Sequence, residues 1–213
     1  PFQSLVSVGA WLMLLLSLVA ILGVVSLLGN RLTRGALGAF FAVGGILSAG
    51  VLVYSGLLLS TINAMNFWNT PLLVLLFVVS GLTCGIAAVV IVDAGLGGPA
   101  RRIEKLIRAR DISAAAELAV LAVFLVERYL AGSAARESVL RLLGGDLTAA
   151  FVGGVVLVGL VMPFACSGLR RLVDSGVLGP AAAGCTLVGG LLLRYCVVTA
   201  AVMEEVAFGP LFA

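Results

Sequence analysis

NAMNFWNTPLLVLLFVVSGLTCG, residues 63–85, joins a polar loop carrying two adjacent aromatic rings to an apolar run with small residues along one side. Phe67 and Trp68 belong at the depth of a membrane surface, where amphipathic rings are enriched. Asn69 or Thr70 can cap a helix that begins at Pro71, a position that needs no backbone donor. Within the run, Gly81 and Gly85 are four apart and flanked by Ser80 and Cys84, a pattern that permits close helix contact inside a bilayer. The stretch therefore predicts a helical hairpin turning at a membrane surface, with a tightly packed second arm.

The rest of the chain agrees. Of 213 residues, 62% are hydrophobic and 11% charged, and the mean hydropathy is +1.25, far from the composition of a soluble domain. A spanning helix takes about 20 mostly apolar residues. Runs of that kind cover 5–28, 36–60, 71–93, 112–131, 148–168 and 178–203. They predict an all-α integral membrane protein of about six transmembrane helices in a single membrane domain, 1–213. The chain opens on Pro1 with no basic region before its first apolar run, so that run reads as a spanning helix rather than a signal peptide.

Basic residues set the orientation, because short loops rich in Lys and Arg stay in the cytoplasm. Arg31 and Arg34 follow the first run, Arg101, Arg102, Lys105, Arg108 and Arg110 the third, and Arg170 and Arg171 the fifth, which places nine of the 13 basic residues in alternate loops. The loop at Trp68, the 132–147 loop and the C-terminal tail are then outside. The net charge of +3 reports this topology and not a nucleic-acid partner. ARRIEKLIRAR, residues 100–110, reads as a topogenic loop, with a short helix lying on the anionic inner leaflet as the alternative.

Several chemistries find no support. The chain contains no His, so it offers no bis-histidine ligation for a b-type haem. Cys84, Cys166, Cys185 and Cys196 are scattered through apolar runs, without the spacing that iron–sulfur or zinc ligation uses. They read as small buried hydrophobes, and no metal site is expected.

The order VYSGLLLSTINAMNFWNTPLLVLLFVVSGLTCG from Val53, preceded by SVGAWLMLL near the start and followed by GGLLLRYCVV near the end, resembles the NrfD family, which includes the membrane subunit of polysulfide reductase. The resemblance implies eight helices in two bundles, of which this sequence begins at the third. It implies a membrane anchor in the cytoplasmic membrane of a prokaryote. That anchor docks an iron–sulfur electron-transfer subunit, itself joined to a catalytic redox subunit of the molybdopterin-dependent kind. Electrons then pass between the partner and membrane quinone, menaquinone or ubiquinone. Quinone is a substrate here, and the chain itself holds neither haem nor an iron–sulfur cluster.

On this reading Tyr54, Arg194 and Trp68 are the quinone contacts. Taken alone, Tyr54 reads equally as an interfacial belt residue; the resemblance favours a phenol donating to a quinone carbonyl. Arg194 lies about sixteen residues into the last helix by count, where an ionisable group faces a cavity or a partner, with snorkelling to the outer surface as the alternative. Glu117 and Asp93 are the carboxylates available for proton transfer from the cytoplasmic side. Two competing functions share these features: a transporter or permease subunit, whose solute path the same charges would line, and a purely structural anchor.

Overall fold

The computed structural model describes residues 5–29, 34–62, 65–170 and 177–202. In chain order they form α1 (Leu5–Leu28), α2 (Arg34–Ser60), α3 (Pro71–Gly95), α4 (Ala100–Leu130), α5 (Ser133–Gly144), a π-helix π1 (Ala149–Val161), α6 (Met162–Leu169) and α7 (Leu178–Thr199). No strand occurs among the described residues. Five segments are long and apolar enough to cross a membrane: Val6–Ser26, Gly35–Ser60, Pro71–Gly95, Ala149–Leu169 and Leu178–Thr199.

α4 is the exception by composition. Its 31 residues span about 46 Å, ample for a bilayer, yet its apolar half carries Glu117, Glu127 and Arg128. The run expected at 112–131 is only the second half of this helix. ARRIEKLIRAR, expected as a loop, is its first half. No Gly or Pro interrupts the chain between Ala100 and Ala131, and Ala, Leu, Arg and Glu are strong helix formers, so the basic segment winds continuously into the apolar one. The real break lies earlier: Gly97 takes a left-handed φ of 69°. Gly97 and Gly98 donate to the carbonyls of Ala94 and Asp93, the paired bonds that close a helix end on glycine.

The 132–147 segment, expected as an outer loop, contains the 12-residue helix α5. Ala135, Ser138, Val139 and Leu142 form its buried face, three and four residues apart as helical packing requires. The fifth apolar run is divided between π1 and α6, and the last helix ends at Thr199.

α3, α4, π1–α6 and α7 pack into one bundle, while α1 pairs with α2 and α2 leans on α3. The bundle core includes Leu73, Leu76, Phe77, Leu121, Phe124, Phe151, Val155 and Leu193. A smaller cluster of Ala87, Val90, Ile107 and Ala183 fills the end from which α4 starts. Helix contact is closest between Gly159 of π1 and Gly189 of α7: a Cβ on either would strike the backbone of the other. The expected seam on α3 is split. Gly81 receives Leu52 of α2, whereas Gly85 faces open space.

Candidate functional site

The FWNT loop closes one end of the bundle, with both of its rings buried against the helices. Thr70 caps α3, its hydroxyl accepting from the Leu72 amide at 3.2 Å and donating to Glu127 at 2.9 Å. Phe67 is fully buried edge-on to Phe124, with ring centroids 5.3 Å apart. Trp68 is 7% exposed, and its indole N–H donates to the Val197 carbonyl at 2.9 Å, satisfying an acceptor in the last turn of α7 that helical bonding leaves without a partner. Arg128 fastens the loop from the other side. Its Nη1 donates to the carbonyls of Asn66 (2.8 Å) and Asn69 (3.3 Å), and its Nη2 pairs with Glu127 at 2.6 Å.

Deeper in the bundle, α3, α4 and α7 bring polar side chains together at mid-helix. Glu117 of α4 is 4% exposed and faces Ser80 and Thr83 of α3, with Arg194 of α7 within electrostatic range. Arg194 does not snorkel outward. Its Nη1 reaches back one turn to the Gly190 carbonyl at 2.9 Å, and its guanidinium carbon lies 5.7 Å from the centroid of the Phe77 ring, within cation–π range. Gly190 makes room for this arrangement, since a Cβ there would strike Cys84 Sγ and come within 3.7 Å of Ser80 Oγ. The hydroxyls of Thr83 and Thr186 donate to their own helices. Ser80 Oγ is buried beside the Glu117 carboxyl and the Cys84 thiol. No ion pair within 4.0 Å joins Glu117 to Arg194 among the described residues. The result is a buried carboxyl and a part-buried guanidinium on facing helices, with the Ser80 and Thr83 hydroxyls beside the carboxyl.

Asp93 lies at the other end of α3, bonded in two places to Arg102 of α4, one contact being Nε to Oδ2 at 2.8 Å. Ten residues separate it from Thr83, about 15 Å along the helix, and the buried residues between, Ala87 and Val90, are apolar. The two carboxylates available for proton transfer thus stand at different levels of the bundle, Asp93 being paired with Arg102 at the α3–α4 turn.

One further buried charge was not anticipated. Arg110 of α4 is 0% exposed; it donates to Asp111 from Nε at 3.1 Å and to Ser167 of α6 at 2.8 Å. Arg110, Glu117 and Arg128 all occupy the buried face of α4. Their spacings of seven and eleven residues keep them on one side of an α-helix, a signal legible once the helix is known to begin at Ala100.

Tyr54 stands elsewhere. On α2, Leu52 packs at Gly81 and Gly56 packs at Val74, both of α3; Tyr54, midway between them, points to the opposite side. Its ring lies directly against Gly9 of α1, where any Cβ would collide with it. The structure therefore brings Trp68 and Arg194 to neighbouring turns of α7 and groups Arg194 with Glu117, but separates both from Tyr54 by the thickness of α3.

A family model described as polysulphide reductase, NrfD, matches residues 2–207. Comparison with curated proteins and with solved structures gave no match. A multi-pass helical chain matched over almost its whole length by this family model belongs to the NrfD family, the membrane subunits of polysulphide-reductase-like complexes.

Proposed function

We propose that this chain is the quinone-reactive membrane anchor of a respiratory oxidoreductase complex in a prokaryotic cytoplasmic membrane. It exchanges electrons between a docked iron–sulfur subunit and quinone or quinol, and the catalytic chemistry resides in a further redox subunit, molybdopterin-dependent in kind. The observation that carries the reading is the Glu117–Arg194 group, a buried carboxyl and a part-buried guanidinium beside the buried Ser80 hydroxyl, inside the bundle of an NrfD-family chain. Charges held in a membrane interior are costly and are found where ions, protons or polar ligands pass.

The division of labour follows from placement. Quinone reduction or quinol oxidation moves protons with electrons, so a quinone site needs a route for them. Glu117 supplies a carboxyl group and Ser80 a hydroxyl that can both donate and accept. Arg194 holds positive charge against them and is fixed by Gly190 and Phe77. Tyr54, on the α1–α2 side, offers a phenol to a quinone carbonyl, and Trp68 acts through the loop that it secures. The same charges also suit a solute path.

Tyr54→Phe tests whether Tyr54 belongs to the quinone site. It keeps the ring against Gly9 and removes one donor, a loss of about 0.5–1.5 kcal/mol for a neutral hydrogen bond. Quinone-linked turnover should fall, while electron transfer from the redox partners to a soluble dye, and the amount of assembled complex, stay constant. Unaltered quinone turnover and apparent affinity would remove Tyr54 from the site. Solute movement by the isolated chain in vesicles, with no redox partner co-purifying from membranes, would replace the redox reading by the transporter.

A further inference from the structure

Near the start of α4, a cleft of about 510 Å³ opens between that helix and the end of α6, a volume within the range typical of ligand pockets. Arg108 and Glu104 stand on one wall and Ser167 and Arg170 on the other, with Asp111 and Ile107 between them. We propose that this cleft binds a phosphate-bearing anion, the headgroup of an anionic membrane lipid.

The acidic residues in the cleft are already engaged. Asp111 accepts two bonds from the buried Arg110. Glu104 faces Arg108 at 3.4 Å; both side chains are well exposed, so this pair contributes little and yields readily to a better acceptor for Arg108. Arg170 has no carboxylate partner among the described residues. Its Nη1 lies 3.2 Å from the point where a Cβ on Gly179 would stand, so the cation rests over the first turn of α7. That helix start has no side-chain cap from Val177 and carries partial positive charge. A guanidinium placed there adds like charge to like. Behind Ser167, Arg110 Nη1 is buried without a hydrogen-bond partner.

Two guanidinium groups, Arg108 and Arg170, thus line one cleft, in which Asp111 is neutralised by Arg110 from behind and Arg170 lacks a carboxylate among the described residues. A phosphate supplies acceptor oxygens, and guanidinium groups match its geometry. The depth selects a lipid as the source: Ser167 lies within the span Ala149–Leu169 and Arg170 directly follows it, at the level where headgroups sit. Ile107 gives the cleft an apolar wall against which a glycerol and the start of an acyl chain can rest. The site is independent of the quinone reading, and basic pockets between helices suit anionic headgroups on physical grounds.

The test uses the whole complex in mild detergent. Native mass spectrometry would count retained phosphatidylglycerol and cardiolipin in the parent, in Arg170→Gln, in Arg108→Gln/Arg170→Gln, and in Arg136→Gln as a control at the opposite end. The double variant should bind the anionic lipid about thirtyfold more weakly, taking each basic residue near a membrane surface at its usual worth, and the control should match the parent. For the delipidated parent, the unfolding midpoint should rise saturably with phosphatidylglycerol micelles and not with phosphatidylcholine or inorganic phosphate. Equal retention in parent and double variant would overturn the site. So would a parent that phosphatidylglycerol does not stabilise, a result that needs no variant to fold. Stabilisation by inorganic phosphate equal to that by phosphatidylglycerol would overturn the lipid assignment in favour of a soluble anion.

Discussion

Trp68 donates its indole N–H to the carbonyl of Val197 at 2.9 Å, a bond across 129 residues of sequence that ties the loop before α3 to the last turn of α7. The ring is buried beside Phe67 and the terminus of the helix bearing Arg194. Trp68→Phe should therefore act on stability first. It retains an aromatic ring but strands a buried acceptor, at a cost of about 1–3 kcal/mol. The unfolding midpoint of the purified complex should fall while the apparent quinone affinity stays constant. Weaker quinone binding with unchanged stability would instead make Trp68 a ligand contact.

Arg128 holds the same loop by two carbonyls and an ion pair. Replacing it with Leu removes the cation from the part-exposed Glu127 and the guanidinium donor from the Asn66 and Asn69 carbonyls, a change worth about 1–3 kcal/mol. The yield of assembled complex should drop sharply, and limited proteolysis should begin to cut near Asn69. Arg128→Lys should recover only part of the yield, since an ammonium lacks the planar fork that serves several acceptors at once. Normal assembly of the Leu variant would show that the clamp is dispensable.

Two glycine positions offer a contrast. A side chain at Gly189 must collide with the backbone of Gly159, whereas one at Gly85 meets nothing within 4 Å. Gly189→Val should destabilise the bundle by about 1–3 kcal/mol or more, as overpacking does, while Gly85→Ala should be neutral or slightly stabilising in a helix. Thermal unfolding of the two variants side by side checks this, and equal midpoints would contradict the packing described.

Glu117→Gln keeps the shape and hydrogen-bonding reach of the side chain but cannot exchange a proton. If Glu117 relays protons to or from quinone, quinone-linked turnover should fall about 10²-fold or more, with dye-linked activity retained. Glu117→Asp should recover part of the loss. An anchor with no proton role would show equal quinone-linked rates in the parent and the Gln variant.

Orientation is checked by single cysteines labelled with a membrane-impermeant reagent. Lys105 and Ser133 are exposed at opposite ends of the bundle, and the distribution of basic residues places the first inside and the second outside. Labelling of Lys105→Cys from the outer face of intact cells would reverse the topology.

Composition and hydropathy were enough to establish a membrane-embedded, all-helical chain, because a bilayer leaves backbone groups little alternative to helical bonding. Thr70 and Pro71 likewise announced the start of α3, since capping depends on neighbours in the chain. Loop and helix were confused where local composition misled: the charges of residues 100–110 concealed the first half of α4, and the short polar segment after Ala131 concealed α5. The ends of helices depend on Gly and Pro more than on charge. Ion pairs between chain neighbours, Glu127 with Arg128 among them, lie within the sequence itself, but which polar groups meet across helices could not be read along the chain. Glu117, Ser80 and Arg194 lie on three helices, and only the packing of those helices makes them neighbours; the same packing gives Trp68 to Val197, Asp93 to Arg102, and Tyr54 to Gly9 on the far side of α3. Sequence thus determined the solvent in which this protein folds, since transfer of apolar surface is a local property that sums over residues. Tertiary structure decided the partners of its buried charges, since a charge in a low-dielectric interior is governed by the few groups within hydrogen-bond reach, and those come from distant parts of the chain.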